Sequence, residues 1–428
     1  MRDAREFGAC GDGVTKDTAA LQAALDAGGM VRLTPGTYVS GTLYLRSHGG
    51  LWLEPGATLL ASPDPSDYNA ADFCVQNSAS QAEVASGGHL LVGLEVEDVT
   101  LGGGGVIHGN SQAFLNERDP GMPLWYRRVW RPSQMVFLCE CRQVRVSGLT
   151  LRDSPYWHCF VHGCEYVSVE GLTILGETAV PNNDGIDIDC CSFVTVRGCL
   201  IDTGDDCLTI RCDQARLKRP RPSENIVFSD CVLRSGYANA IRVGVGSGEV
   251  RNCRFQNIVI ERSRTAISMV TKYSDREVPG GLLHDVSFSG LQIACERLCN
   301  LKLDNAPGMR WPSERRLSDV DISDVRGSVS LTSYVCGNGL GEVSGISFRG
   351  LRLRVDGSGP RPDRNASGWW GRSSTRAGFD VRQARDVTFD DCRLDFNDSP
   401  GWEYAVEATD CVGVEVSSGC RMNRPVLV

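Results

Sequence analysis

A short motif, one polar residue between two apolar ones, recurs along most of this chain and restricts its fold more than any other feature. It reads Val144-Arg-Val146, Val167-Ser-Val169, Val194-Thr-Val196 and Ile226-Val-Phe228, then Val286-Ser-Phe288, Val320-Asp-Ile322, Ile346-Ser-Phe348, Val387-Thr-Phe389 and Val414-Glu-Val416. Spacings run from roughly 23 to 41 residues, and the shorter ones match one coil of a β-solenoid. Several units are followed by a small turn and a second β-rich step, as in Gly148-Leu149-Thr150-Leu151 and Gly171-Leu172-Thr173-Ile174. Alternation sends one set of side chains into the tube and the other to water. A leucine-rich horseshoe needs a regular short Leu/Asn repeat that is absent here. The expectation is an all-β solenoid running as a single domain over residues 1–428.

A solenoid must be closed at its ends. Asp17 is placed to cap a helix through Thr18–Leu25 that stops at Gly28-Gly29, a lid for the first coil. Residues 110–133 and 355–378 break the period and are read as loops leaving the tube. They carry Trp125, Tyr126 and Trp130, and Trp369 and Trp370; anchoring the loops and stacking on sugars are equally consistent roles.

Composition excludes several classes. A net charge of −9 is wrong for a nucleic-acid partner, which demands a basic face. No apolar run of about 18 residues exists to span a membrane. Met1 is followed by Arg2-Asp3-Ala4-Arg5 with no apolar stretch, so no signal peptide is expected and the location read is cytoplasmic; an upstream leader would make the protein secreted. The 19 cysteines include Cys141, Cys164, Cys191, Cys199, Cys231, Cys253, Cys392 and Cys411 at equivalent places in successive repeats. Such a ladder reads as reduced thiols packed as small apolar groups. No paired Cys-x-x-Cys accompanies a histidine cluster, so no zinc site, and no cofactor, is expected.

The chemistry concentrates in Asn182-Asn183-Asp184-Gly185-Ile186-Asp187-Ile188-Asp189 and, one coil later, Gly204-Asp205-Asp206-Cys207. Superimposing the apolar residues Ile186, Leu208, Ile241, Ile267 and Leu301 stacks Asp184, Asp206 and Asn239 in one column, with Asp205 beside it. Adjacent coils lie about 4.8 Å apart, so the carboxylates repel one another and a proton is retained. A poised carboxyl pair is what acid/base glycoside hydrolysis requires.

At these residues the chain resembles glycoside hydrolase family 28, the polygalacturonase and rhamnogalacturonase family. The likeness rests on Asn182-x-Asp184-Gly-Ile-Asp187 and Gly204-Asp205-Asp206-Cys207, and extends to Phe7-Gly-Ala-x-Gly-Asp-Gly13, Gly56-Ala-Thr-Leu59 and Ser154-Pro155-Tyr156-Trp157. The resemblance implies a right-handed parallel β-helix and an inverting hydrolase, with Asp205 as general acid and Asp184 and Asp206 activating water.

Two family motifs are replaced. Gly-His-Gly reads Ala238-Asn239-Ala240, and Arg-Ile-Lys, which grips a substrate carboxylate, reads Ser268-Met269-Val270. The column alignment puts Asp187, Thr209, Arg242 and Lys302 in the outward place of Ser268, so cations flank the lost one; Arg211 and the basic run Lys218-Arg219-Pro220-Arg221 follow the aspartate pair. Arg242 pairing with Asp187 or Asp205, and a solvated basic loop, are the structural alternatives. His158 and His162 precede the aspartate coil as helpers or structural histidines. The substrate-binding set is therefore Asn182, Asp187, Asn239, Arg242, Trp157, Lys302 and Arg211, and the substrate a pectin-like or other plant-type oligosaccharide rather than plain polygalacturonan. A uronic-acid lyase or epimerase, and a non-catalytic carbohydrate-binding β-helix, stand as alternatives.

Overall fold

The computed structural model describes residues 1–81, 83–118, 126–128, 130–304, 310–361 and 373–428. Trp125, Trp369 and Trp370 of the predicted loops lie outside the described residues. The chain is a right-handed parallel β-helix that divides into two compact units. Unit 1 is Met1–Leu208 with Ala215–Arg221, and unit 2 is Thr209–Gln214 with Pro222–Val428.

Each coil of unit 1 contributes three short strands. Leu91–Leu94, Val136–Cys139, Cys159–His162 and Ile186–Asp189 pair rung on rung. Glu97–Gly103, Arg142–Ser147, Glu165–Glu170 and Ser192–Arg197 form the second stack, and Val106–His108, Thr150–Arg152, Thr173–Leu175 and Leu200–Thr203 the third. Val99, Val144, Val167 and Val194 occupy one buried column, as the repeat requires. Removing each such side chain from water stabilises the tube by about 1.5–3 kcal/mol. Cysteines continue the packing: the Cys141 N–H meets the Cys164 sulfur at 3.3 Å, and the Cys164 N–H meets the Cys191 sulfur at 3.2 Å. No disulfide joins any of the 19 thiols.

The helix Thr18–Asp26 buries Leu21, Ala24 and Leu25 against the strands Met30–Leu33 and Leu43–Tyr44. Asp17 stands at the cap position, where its carbonyl accepts the Leu21 N–H at 2.9 Å, but its side chain does not bond the helix. Its carboxylate accepts instead from the N–H groups of Cys10 (2.6 Å) and Gly11 (3.0 Å), which fastens the first loop. Leu115–Arg118 and Tyr126–Arg128 pair antiparallel, apart from the parallel stacks. Trp130 packs against Tyr68 and Phe114, with ring centroids 5.6 Å apart in both cases.

One outer face of unit 1 is also apolar. Val92, Phe137 and Phe160 point out of the tube and bury themselves with Cys139, Cys190 and Leu217. Leu217 belongs to the segment 215–221, and the basic run within it, though Lys218 and Arg219 stay exposed, is tied down by acidic partners. Lys218 pairs with Glu95, Arg219 with Glu140 (3.5 Å) and Arg221 with Glu165 (2.6 Å). The Glu140 carboxylate further accepts from the Arg219 N–H at 2.8 Å and the Gln76 amide at 2.7 Å. The loop is a clasp over apolar surface.

Unit 2 repeats the plan with phenylalanines. Phe228, Phe255 and Phe288 stack with centroids 4.7 and 4.9 Å apart, and Phe348 and Phe389 at 4.8 Å. One coil escaped the sequence motif: Cys253-Arg254-Phe255 pairs with Ile226-Val227-Phe228 on one side and Val286-Ser287-Phe288 on the other. A buried thiol fills the place of the branched aliphatic there.

Candidate active site

The aspartates are gathered in unit 1 by strand register. Cys159 faces Ile186, and the Gly185 and Ile186 N–H groups donate to the carbonyls of Asp206 and Cys207, both at 2.9 Å. Ile186 therefore stands opposite Leu208, and Trp157, Asp184 and Asp206 occupy successive rungs of one column. Gly185 permits this approach, because a Cβ there would lie 2.4 Å from the Cys207 carbonyl oxygen. Asp184, Asp205 and Asp206 each bring one carboxylate oxygen within 4.8 Å of the others. Asp184 and Asp206 are buried, at 6% and 2% exposure, while Asp205 is half-buried. Three oxygens so spaced are also close enough to hold a hard cation.

The backbone around this cluster is held by side chains that the sequence did not single out. Asn183 is fully buried; its amide donates to the Glu177 carbonyl (2.8 Å), and its oxygen accepts from the N–H groups of Gly204 (2.9 Å) and Asp205 (3.1 Å). The Asp206 N–H donates to the Asp205 Oδ1 at 3.0 Å, and Thr203 Oγ1 donates to the Asp205 carbonyl at 3.1 Å. Arg131, also fully buried, donates to the carbonyls of Pro155 (2.6 Å), Pro181 (2.5 Å) and Glu83 (2.7 Å). Its guanidinium lies 4.6 Å from the centre of the Tyr156 ring, whose hydroxyl donates to Glu83 at 2.5 Å. Asn183 was legible only as the unspecified middle of Asn182-x-Asp184, and nothing in the sequence near Arg131 marked it.

Among the predicted binding residues of unit 1, Trp157 lies beside the cluster and stacks on Tyr156 at 5.0 Å. Asn182 sits in left-handed backbone (φ 56°), and its amide oxygen accepts from Arg131 at 2.8 Å. Asp187 is buried on the rung after Phe160. His158 is a buried structural histidine: burial lowers its pKa to about 4, its Nδ1–H donates to the Asp184 carbonyl (2.9 Å), and its Nε2 faces the Ser154 N–H at 3.4 Å. His162 is buried 3.3 Å from Asp189 and stacks on Phe160.

Asn239, Arg211, Arg242 and Lys302 belong to unit 2. Asn239 is buried opposite Thr265. Arg242 lies 3.9 Å from the centre of the Tyr273 ring, next to Glu277, whose pKa is raised by burial and pulled back by Arg242 and Arg211. Lys302 corrects the predicted column. Ser268 faces Arg242 on one side as expected but Asn300 on the other, and Lys302 faces Val270. The predicted column had slipped by two residues, because a shift of two keeps every side chain on its face and leaves the apolar pattern unchanged. A register shift between Glu261 and Ser263 adds to the offset. Lys302 lies half-buried over the Tyr334 ring, 4.2 Å from its centre, and burial lowers its pKa to about 8. No acidic side chain among the described residues pairs with it.

The family model Glycosyl hydrolases family 28 matches residues 69–355. The chain is 28% identical over 302 residues to a probable polygalacturonase of Vitis vinifera, covering 67% of this chain and 60% of that protein. It is 26% identical over 297 residues to a probable polygalacturonase of Arabidopsis thaliana, covering 62% and 59%. It thus spans about 60% of the length of these curated relatives. Two solved structures share the fold. The family 28 exopolygalacturonase of Yersinia enterocolitica matches with TM-score 0.69 and 18% identity over 97% of this chain and 78% of its own. The exopolygalacturonase of Thermotoga maritima matches with TM-score 0.62 and 20% identity over 98% and 91%.

Proposed function

The chain belongs to glycosyl hydrolases family 28, and we propose that it hydrolyses a glycosidic bond in a pectin-like or other plant-type saccharide with inversion at the anomeric carbon. The observation that carries this reading is the convergence of Asp184, Asp205 and Asp206, with an oxygen of each within 4.8 Å of the others. Three carboxylates so close favour retention of a proton by the cluster. Asp205 is the member with most access to solvent. Its Oδ1 accepts the Asp206 N–H, so the acid proton belongs on Oδ2.

In the proposed reaction Asp205 gives that proton to the leaving glycosidic oxygen as its bond to the anomeric carbon breaks. A water held by Asp184 and Asp206 attacks from the opposite face and passes its proton to that pair. The second product leaves with the new hydroxyl, and proton exchange with water resets the acid. Trp157, one rung from Asp184, offers an aromatic edge to the sugar.

For the substrate, we propose a saccharide other than plain polygalacturonan. Support comes from Ser268-Met269-Val270 standing where the family's carboxylate-gripping motif is placed, together with cations on other rungs. Arg242 stands one coil before Ser268, and Lys302 faces Val270 rather than Ser268. A rung is about 4.8 Å, so the cations suit a carboxylate placed differently from the family's usual one. Further candidate contacts are Asp187 in unit 1 and, separately, Arg211 and Asn239 in unit 2; Asn182 contributes by shaping the loop before Asp184.

The test is incubation of the protein with polygalacturonan, xylogalacturonan, rhamnogalacturonan and neutral plant oligosaccharides, with products read by mass spectrometry. Saturated products carrying one added water support the reading. Products absorbing in the ultraviolet through a new double bond would mark a lyase, and tight binding without turnover on every substrate a non-catalytic binder.

A further inference from the structure

A buried side chain, Asn183, helps to fasten the turn that carries Asp205 to the preceding coil. Gly204, Asp205 and Asp206 lie between the strand Leu200–Thr203 and the strand Leu208–Cys212. Such a turn exposes successive N–H groups, and buried ones must find acceptors. The Asn183 amide oxygen takes two of them, from Gly204 and Asp205. Its Nδ2 is tied in turn to the Glu177 carbonyl. Room for this amide exists because residue 176 is glycine: a Cβ there would lie 2.7 Å from the Asn183 Nδ2 and 2.9 Å from the His158 ring.

We propose that Asn183 is a positioning residue for the acid Asp205. The inference rests on the assignment of Asp205 as proton donor. Asn183 is fully buried and so meets no substrate, but the amide it holds is the backbone N–H of Asp205 itself. Rotating that peptide swings the Asp205 Cα–Cβ bond, and with it the carboxyl whose Oδ1 already receives the Asp206 N–H. Losing the acceptor removes a shared partner from two N–H groups, the Gly204 one buried, and the turn relaxes toward other partners. A misplacement of about 1 Å at a reacting group can cost about 10²-fold in rate. Asp184 has its own restraint in His158, so the defect falls on proton donation rather than on water activation.

That asymmetry gives the test. Wild type, Asn183→Leu, Asn183→Asp and Asp205→Asn are compared on the saccharide the wild type cleaves and on a 2,4-dinitrophenyl glycoside of the same sugar, whose leaving group departs without protonation. Asn183→Leu should lower kcat on the saccharide by about 10–100-fold with KM changed less than about threefold, and lower turnover of the dinitrophenyl glycoside by less than about threefold. Asn183→Asp keeps an acceptor oxygen for both N–H groups and should recover part of the loss. If Asn183→Leu fails to fold, as judged by circular dichroism, the smaller polar Asn183→Ser replaces it and should show the same split. Equal loss on both substrates, or none, would overturn the proposal. Asp205→Asn separates the two levels: if it too loses both activities equally, the acid assignment fails, and if it shows the split while Asn183→Leu does not, the positioning role alone fails.

Discussion

His158 donates its Nδ1 proton to the main-chain carbonyl of Asp184 at 2.9 Å, from a ring that is fully buried. Its Nε2 faces the Ser154 N–H, so the arrangement requires a neutral imidazole. Burial lowers the ring's pKa to about 4 from an ordinary value near 6.5. The unfolded chain therefore binds a proton that the folded chain refuses between these values. The stabilisation is complete above about pH 6.5 and is lost as pH falls toward 4, a change of about 3 kcal/mol. Urea denaturation at pH 7, 5.5 and 4 should show this decline, and His158→Gln should make it shallower, leaving the part due to the buried His89, whose pKa is also lowered to about 4. An equally steep decline in the variant would place the acid sensitivity elsewhere.

Phe255 lies between Phe228 and Phe288 at centroid distances of 4.7 and 4.9 Å, with no exposure. Truncating it interrupts the ladder of unit 2 and opens a cavity. Phe255→Ala should destabilise by about 3–5 kcal/mol, read as a lower urea midpoint. A change below about 1 kcal/mol would mean that the stack is not a structural spine.

These elements differ in how far the sequence reveals them. The inward columns are legible because period-two alternation is a local signal, and Asp184 meets Asp206 as expected because Ile186 and Leu208 anchor the register on both sides. The same periodicity misplaced Lys302, since it is blind to a slip of two. Cys253-Arg254-Phe255 hid because cysteine does not advertise itself as a strand residue. Pairings across coils were out of reach: nothing local links Lys218, Arg219 and Arg221 to Glu95, Glu140 and Glu165, or Arg131 to Asn182. Asn183 was visible as a residue but not as a clamp, because its partners are main-chain groups 21 and 22 residues onward.

The three carboxylates could hold a divalent cation, but an ion there would expel the proton that Asp205 needs. Excess EDTA should leave turnover unchanged, and millimolar calcium or magnesium should inhibit or do nothing. Loss of activity in EDTA, restored by either metal, would replace the acid/base account.

Arg242 and Lys302 should act on substrate affinity. Arg242→Ala should raise KM or lower kcat/KM on the true substrate without altering circular dichroism, and Lys302→Met should do the same if the sugar is acidic. Vigorous cleavage of polygalacturonan by the wild type, or normal kinetics in Arg242→Ala, would defeat the substrate proposal.

Stereochemistry probes the site's geometry. Inverting carboxyls usually stand about 6.5–9.5 Å apart, and retaining ones about 5–5.5 Å. One oxygen from each carboxylate within 4.8 Å of the others makes this a tight site, and in the proposed reaction the Asp184–Asp206 pair holds the water. Proton NMR of fresh product should show the inverted anomer; the retained one would mean that an aspartate attacks the sugar directly.

In the proposed reaction Asp205 supplies the proton for glycosidic cleavage, and the rate of Asp205→Asn on the saccharide cleaved by the wild type decides whether it does. General acids contribute about 10²–10⁴-fold, and asparagine keeps the shape of the side chain while removing the acid. A loss in that range in a normally folded variant is the predicted result. Turnover within about threefold of wild type would contradict it.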